Sequence, residues 1–198
     1  IAHTRWSTHG IPSDRNDHPF TDVNNQFSIV HNGIIENYLE LKEELRQDGI
    51  TFTSDTDSEV MVHLIAKYYQ GDLKQAVLKT ISRLQGAYAF CVIKNDSNEI
   101  IGGRNGSPLI VGIGDTENFL ASDVSAIIEH TRKVIYLNDF QIASITAEKV
   151  DVYDFQGQPQ HSEIKEVNWN LEQAQKQGFK HFMLKEIFEQ PKVFADCL

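Results

Sequence analysis

The chain changes character at Gly86, and that change limits the folds open to it. Behind this glycine, the runs Ala87 to Ile93, Glu99 to Gly102, Leu109 to Ile113 and Asn118 to Ser122 are rich in apolar residues. Lys-Asn-Asp-Ser-Asn, a glycine-rich stretch and Asp-Thr-Glu-Asn separate them, as turn residues separate strands. Val134 to Leu137, Gln141 to Thr146 and Val150 to Tyr153 continue the series, with a short helix placed at Val124 to His130. Ahead of Gly86 the spacing is helical. Asn37 is placed to cap a helix to about Asp48, with Leu39, Leu41 and Leu45 inward and Gly49 as its stop. Thr56-Asp57-Ser58-Glu59 has the form of a capping box, and Val60, Leu64, Ile65 and Tyr68 mark the helical face behind it. A third helix follows Asp72, with Leu73, Ala76, Val77, Ile81 and Leu84 at helical spacing. Ile1 to Arg5 and Phe27 to His31 read as short strands around a polar loop, Ile11 to Asn25. A last helix is expected over Phe182 to Gln190, ending near Pro191. Strands, then helices, then many short strands describe an α+β layered domain with antiparallel sheets.

A chain of 198 residues supplies one sizeable core and is short for two. Its 18 basic and 28 acidic residues leave a formal charge of -10, which repels nucleic acid and anionic membranes at long range. An acidic ligand must therefore be held by a local site. No apolar run approaches the about 18 residues of a membrane span, and no basic-then-apolar leader is present. Cys91 and Cys197 lie far apart without metal-type spacing, so no disulfide framework is expected and a reducing cytoplasm is the default. The histidines show no H-E-x-x-H or C-x-x-C pattern, so no metal site is expected. Gly112-Ile113-Gly114 lacks the third glycine of a dinucleotide fingerprint. The chain opens at Ile1-Ala2 inside a strand-like run and stops at Cys197-Leu198 soon after a helical one. That reads as a piece of a longer protein.

Three polar clusters carry the chemistry: His3 to Gly10, His31-Asn32-Gly33, and Ser54 to Glu59. They supply a cation, an amide donor, a glycine backbone and a carboxylate, a set suited to a small zwitterion with a reactive carbonyl. Arg5 presents a fork that grips a carboxylate, against the plainer reading of a surface ion pair. Asn32-Gly33 at a strand end reads in isolation as a turn, and alternatively aims an amide and a backbone N–H at a developing oxyanion. Asp57, plainly part of a helix cap, would alternatively hold a ligand ammonium.

The runs His3 to Gly10 with His18-Pro19, Val30 to Asn37 and Phe52 to Val60 together resemble class II glutamine amidotransferases. Gly86-Ala87-Tyr88, Gly106 to Leu109, Leu120 to Asp123 and Lys185 to Pro191 are further landmarks in the family's order, so the resemblance covers essentially the whole chain. Trp6 and the run Asn32 to Asn37 favour the aminosugar-forming branch over a sister branch whose acceptor is phosphoribosyl pyrophosphate. The resemblance implies an N-terminal-nucleophile fold, an αββα sandwich of two antiparallel sheets between helix layers. It implies one glutaminase domain over residues 1–198, incomplete at its N-terminus, with a linker to an isomerase half starting after about residue 190. It further implies that Arg5 binds the glutamine α-carboxylate, Asp57 the α-ammonium, and that Thr8 and His9 line the site. Asn32 and Gly33 would form the oxyanion hole. Trp6 would sit in a loop that closes over glutamine and directs ammonia to fructose-6-phosphate in the isomerase half. No metal or organic cofactor is implied, and a homo-oligomer is left open.

The sequence departs from the family at one point. The family's nucleophile is a cysteine at the very start of the mature chain, with its own α-amine as base. Cys91 lies in an apolar run and reads as a buried thiol, and Cys197 falls outside every site motif. The binding half of a glutaminase site is thus expected without the attacking half. A non-catalytic glutamine-binding module is the remaining alternative.

Overall fold

The computed structural model describes residues 1–5, 8–168 and 178–196. Its frame is set by alternation along β2 (Phe27–Ile35). Phe27, Ile29 and Ile35 face one apolar cluster, while Val30 faces another. A strand buried on both faces demands a layer on each side. On the first side lie α1 (Tyr38–Gln47), α2 (Glu59–Tyr68) and α3 (Leu73–Ile81). On the second side lies another sheet.

The first sheet has the order β1-β2-β3-β4-β8-β9, with β1 at Phe20–Thr21, β3 at Gly86–Lys94, β4 at Ile100–Asn105, β8 at Gln141–Ile145 and β9 at Val150–Asp154. The second has the order β10-β7-β5-β6, with β5 at Ile110–Ile113, β6 at Asn118–Ala121, β7 at Lys133–Tyr136 and β10 at Lys165–Glu166. Every pairing within both sheets is antiparallel. Between the sheets, Val30, Ala89, Cys91, Ala143 and Ile145 meet Leu109, Val111, Ile135 and Leu137. The outer face of the second sheet carries a smaller cluster of Ile110 and Val134 with Val124, Ile127 and Ile128. The expected α+β sandwich of two antiparallel sheets and helices is therefore what forms.

Helix α2 is buried from Glu59 through Ile65 and is the centre of the helix layer. Leaving Leu64 or Ile65 in water instead would cost about 1.5–3 kcal/mol each. Helix α1 ends as expected at Gly49, whose φ is +87°. Ile50 N–H reaches the Leu45 carbonyl at 2.9 Å and Gly49 N–H the Arg46 carbonyl at 2.9 Å, the paired bonds of a Schellman stop. Asp72 caps α3 by accepting from Gln75 N–H at 3.0 Å.

Several local expectations are corrected. Ile1 to Arg5 form no strand; Arg5 has a φ of +51°, which breaks an extended run. The polar loop before β2 contains a 3-10 turn (Asp14–Asn16), a cis His18-Pro19 peptide and β1. Leu39 points to solvent, 67% exposed, while Leu41 and Leu45 are buried. Asn37 stands at the start of α1 but does not cap it. Its side chain ties Arg83 O and Gln85 N–H at 2.8 and 3.0 Å, joining α1 to the segment before β3. Glu59 does not pair with Thr56 in a capping box. It turns back to accept from Thr53 N–H and Ser54 N–H at 2.8 and 2.7 Å and from both hydroxyls. The segment Val124 to His130 shortens to a 3-10 turn, Val124–Ala126. Helix α4 (Phe182–Asp196) runs through Pro191 instead of ending there. The ring removes one backbone donor, and the exposed surroundings put no packing demand on the helix at that point.

Candidate active site

Where the C-terminal half of β2 meets the start of α2, a cavity of about 250 Å³ opens. His3, Arg5, Thr8, His9, His18, His31, Asn32, Gly33, Thr56, Asp57 and Ser58 are among its lining residues. Six of the seven residues singled out from the sequence thus share one cavity; the seventh, Trp6, lies outside the described residues.

The Asn32-Gly33 pair is not a turn. Both residues lie inside β2, paired with Ala89 and Tyr88 of β3. Gly33 has a φ of +114°, and a Cβ on it would come 2.1 Å from the Ala87 carbonyl oxygen. Only glycine lets the two backbones approach this closely with that φ. The alternation of β2 then sends neighbouring side chains to opposite faces. His31 turns towards α2, where its Nδ1 meets Ser58 Oγ at 2.8 Å. Asn32 turns the other way, and its Oδ1 meets His3 Nε2 at 2.6 Å.

Asp57 is 2% exposed and is not a helix cap. Its Oδ2 accepts from Ile35 N–H at 2.8 Å, which fixes the carboxylate against the end of β2. Its Oδ1 lies 3.7 Å from His9 Nδ1, on the cavity side of the group. That places a buried carboxyl group at the cavity with its Oδ1 towards His9.

Arg5 is placed differently from the simplest expectation. Its guanidinium donates to Asp17 Oδ1 at 2.9 Å and to the carbonyls of His9 and Gly10 at 3.1 and 3.2 Å. The plainer ion-pair reading is therefore realised, and the same side chain lines the cavity. Arg5 organises the loop from His9 to Asp17, and Asn16 pins that loop from the other end. Asn16 is fully buried, donates to Ile11 O at 3.0 Å and accepts from Asp55 N–H at 2.9 Å.

The sequence assigns no site role to His18, His31, Thr56 or Ser58, Thr56 entering only through a capping box, and it places His3 only within its cluster. The signal available was that His3, His18 and His31 each fall within a motif that supplies other site residues. Burial is the main reason that His18 and His31 are both pushed down to about 3, and neighbouring histidines add to it. Both rings are neutral at pH 7. The His3 and His18 rings stand 4.1 Å apart at centroids, and His18 also meets Phe20 edge-on.

Cys91 is buried between the sheets, and burial pushes its thiol up to about 12. It is a protonated packing residue at neutral pH and does not serve as a nucleophile. Cys197 lies outside the described residues.

A model of the glutamine amidotransferase domain family matches residues 3–129, which include every one of these cavity residues. The chain belongs to that family. The glutamine–fructose-6-phosphate aminotransferase (isomerizing) of Aquifex aeolicus is 57% identical over 199 aligned residues, covering 100% of this chain and 34% of that protein. The enzyme of the same name from Fusobacterium nucleatum is 50% identical, covering 100% of this chain and 33% of its own length. This amidotransferase chain thus spans about a third of the length of the curated relatives it matches. Among solved structures, the glutamine phosphoribosylpyrophosphate amidotransferase of B. subtilis superposes with a TM-score of 0.64 at 29% identity, covering 77% of this chain and 34% of that one. No helix among the described residues is long and apolar enough to cross a membrane.

Proposed function

We propose that residues 1–198 form the glutamine-binding part of a glutamine–fructose-6-phosphate aminotransferase, a cytoplasmic enzyme that works without a metal or organic cofactor. The observation that carries this reading is the single cavity in which Arg5, Thr8, His9, Asn32, Gly33 and Asp57 converge. Asp57 Oδ1 takes the glutamine α-ammonium, and Arg5 takes the α-carboxylate by exchanging part of its hold on the loop. Thr8 and His9 flank the bound amino acid, and Trp6 helps to close the loop over it. The carboxamide then points towards Asn32 and Gly33, whose N–H groups stabilise the oxyanion.

Attack on the carboxamide carbon forms a thioester and releases ammonia, and water then cleaves the thioester to glutamate. The attacking sulfur is not that of Cys91, and the family resemblance assigns it to a cysteine at the start of the mature chain. Residues 1–198 by themselves are accordingly expected to bind glutamine without turning it over. Steady ammonia release from the purified 198-residue chain would contradict this.

The acceptor is tested in the full-length protein that carries these residues. Glutamine-dependent amination of fructose-6-phosphate is expected. Amination of phosphoribosyl pyrophosphate instead would place the chain in the sister branch, which the B. subtilis superposition keeps as the second reading. Glutamine binding without turnover in the full-length protein would leave a non-catalytic binding module.

A further inference from the structure

His3 lines the cavity, yet the proposed reaction gives it no part. Its two ring nitrogens are both engaged. Arg5 N–H donates to Nδ1 at 2.9 Å, so Nδ1 carries a lone pair and no proton. A neutral imidazole has one ring proton, which must then sit on Nε2. Nε2–H donates to Asn32 Oδ1 at 2.6 Å. The ring is held from the side by His18, whose centroid is 4.1 Å away.

The consequence falls on Asn32. A side-chain amide has two ends of nearly equal shape, and only the NH2 end can donate to an oxyanion. With Oδ1 committed to His3, the NH2 is the end left to donate, and Asn32 lines the cavity. The flipped amide would set NH2 against Nε2–H, two donors face to face. We infer that His3 is a positioning residue for glutamine hydrolysis: its Nε2–H fixes the Asn32 amide in the one orientation that works as an oxyanion donor. The chain of bonds starts at the Arg5 backbone. The N–H of the residue proposed to grip substrate therefore sets the tautomer that orients the oxyanion hole. This inference rests on the glutaminase reading.

Two near-isosteric variants in the full-length protein separate positioning from folding. His3→Gln keeps a donor near the Nε2 position, whereas His3→Asn keeps an acceptor near Nδ1 for Arg5 N–H and loses the donor to Asn32. His3→Asn is expected to lower kcat for glutamine hydrolysis by about tenfold or more, short of the about 10²–10³-fold loss on removing an oxyanion donor. The KM for glutamine should stay within about threefold, because ground-state binding is not touched. His3→Gln should recover most of the loss. Because both residues act through one group, His3→Asn combined with Asn32→Ala should be no slower than Asn32→Ala alone. An unchanged kcat in His3→Asn, a rise in KM alone, a failure of His3→Gln to rescue, or additive losses would each overturn the inference while leaving glutaminase function standing. Absence of glutamine hydrolysis by the unsubstituted protein would overturn the functional reading, and this inference with it.

Discussion

His31 shows how one buried side chain ties the site to acid stability. It is 3% exposed, Nδ1 meets Ser58 Oγ, and Nε2 has no hydrogen-bond partner among the described residues. In the unfolded chain the ring takes a proton near 6.5, but in the fold only near about 3. Between those values the unfolded state binds the extra proton, so stability rises with pH across the window and is lost as pH falls from 6.5 towards 3. The slope from one such group approaches about 1.4 kcal/mol per pH unit. His31→Asn keeps a polar partner for Ser58 and removes the titration. The loss in unfolding free energy from pH 7 to pH 5, read by urea titration, should be about 1–2 kcal/mol smaller in the variant. Parallel curves for the two proteins would contradict the burial account. His18 still titrates in the variant, so a residual slope is expected. This coupling was not legible in the sequence, because His31 reads there as one polar residue in a polar triplet. Its neutrality follows from α2 closing over it.

At the scale of elements, the β2–β3 ladder matters most, because it passes through the site. The sequence predicts a strand over Phe27 to His31, with Asn32-Gly33 at its end as either a turn or an oxyanion hole. The strand instead continues to Ile35, since Gly33 pairs with Tyr88 and its lack of a Cβ lets β3 come close. A glycine marks special backbone geometry, but a sequence does not say whether it lies in a turn or in a crowded strand. Gly33→Ala should cost about 3 kcal/mol or more, from overlap with the Ala87 carbonyl and the strained φ together. Gly49→Ala is the control, because nothing lies within 4 Å of its Cβ position. It should cost only about 1 kcal/mol, the conformational penalty of a left-handed residue. Equal melting temperatures for the two variants would contradict the crowded-ladder account. At Glu59 the same holds: its spacing to Thr56 marks the start of α2. Its bonding partners are Thr53 and Ser54, because the chain before the helix folds back over the carboxylate, together with His63 one turn on at 3.4 Å.

For the molecule as a whole, the order of helices and short strands made the layered antiparallel class legible, since each strand run and turn carried its own local signal. The meeting of His3 to Gly10, His31 to Gly33 and Ser54 to Glu59 in one cavity is not legible from spacing; their complementary chemistry suggests it and the family resemblance implies it. The packing of α2 on β2, with the His31–Ser58 and Ile35–Asp57 bonds, and the His3–Asn32 bond bring them together. What the resemblance did not convey is how Arg5 is employed, because its partners are carbonyls and Asp17 of the same loop. In the proposed function this cavity holds the amino-acid end of glutamine between Arg5 and Asp57. Calorimetric titration of the folded protein with L-glutamate, the product that is not turned over, tests it most directly. One site per chain is expected, weakened about tenfold or more by Arg5→Ala and by Asp57→Asn, the latter keeping an acceptor for Ile35 N–H. A folded protein that takes up no glutamate, or an Asp57→Asn variant that binds it with undiminished affinity, would contradict the account.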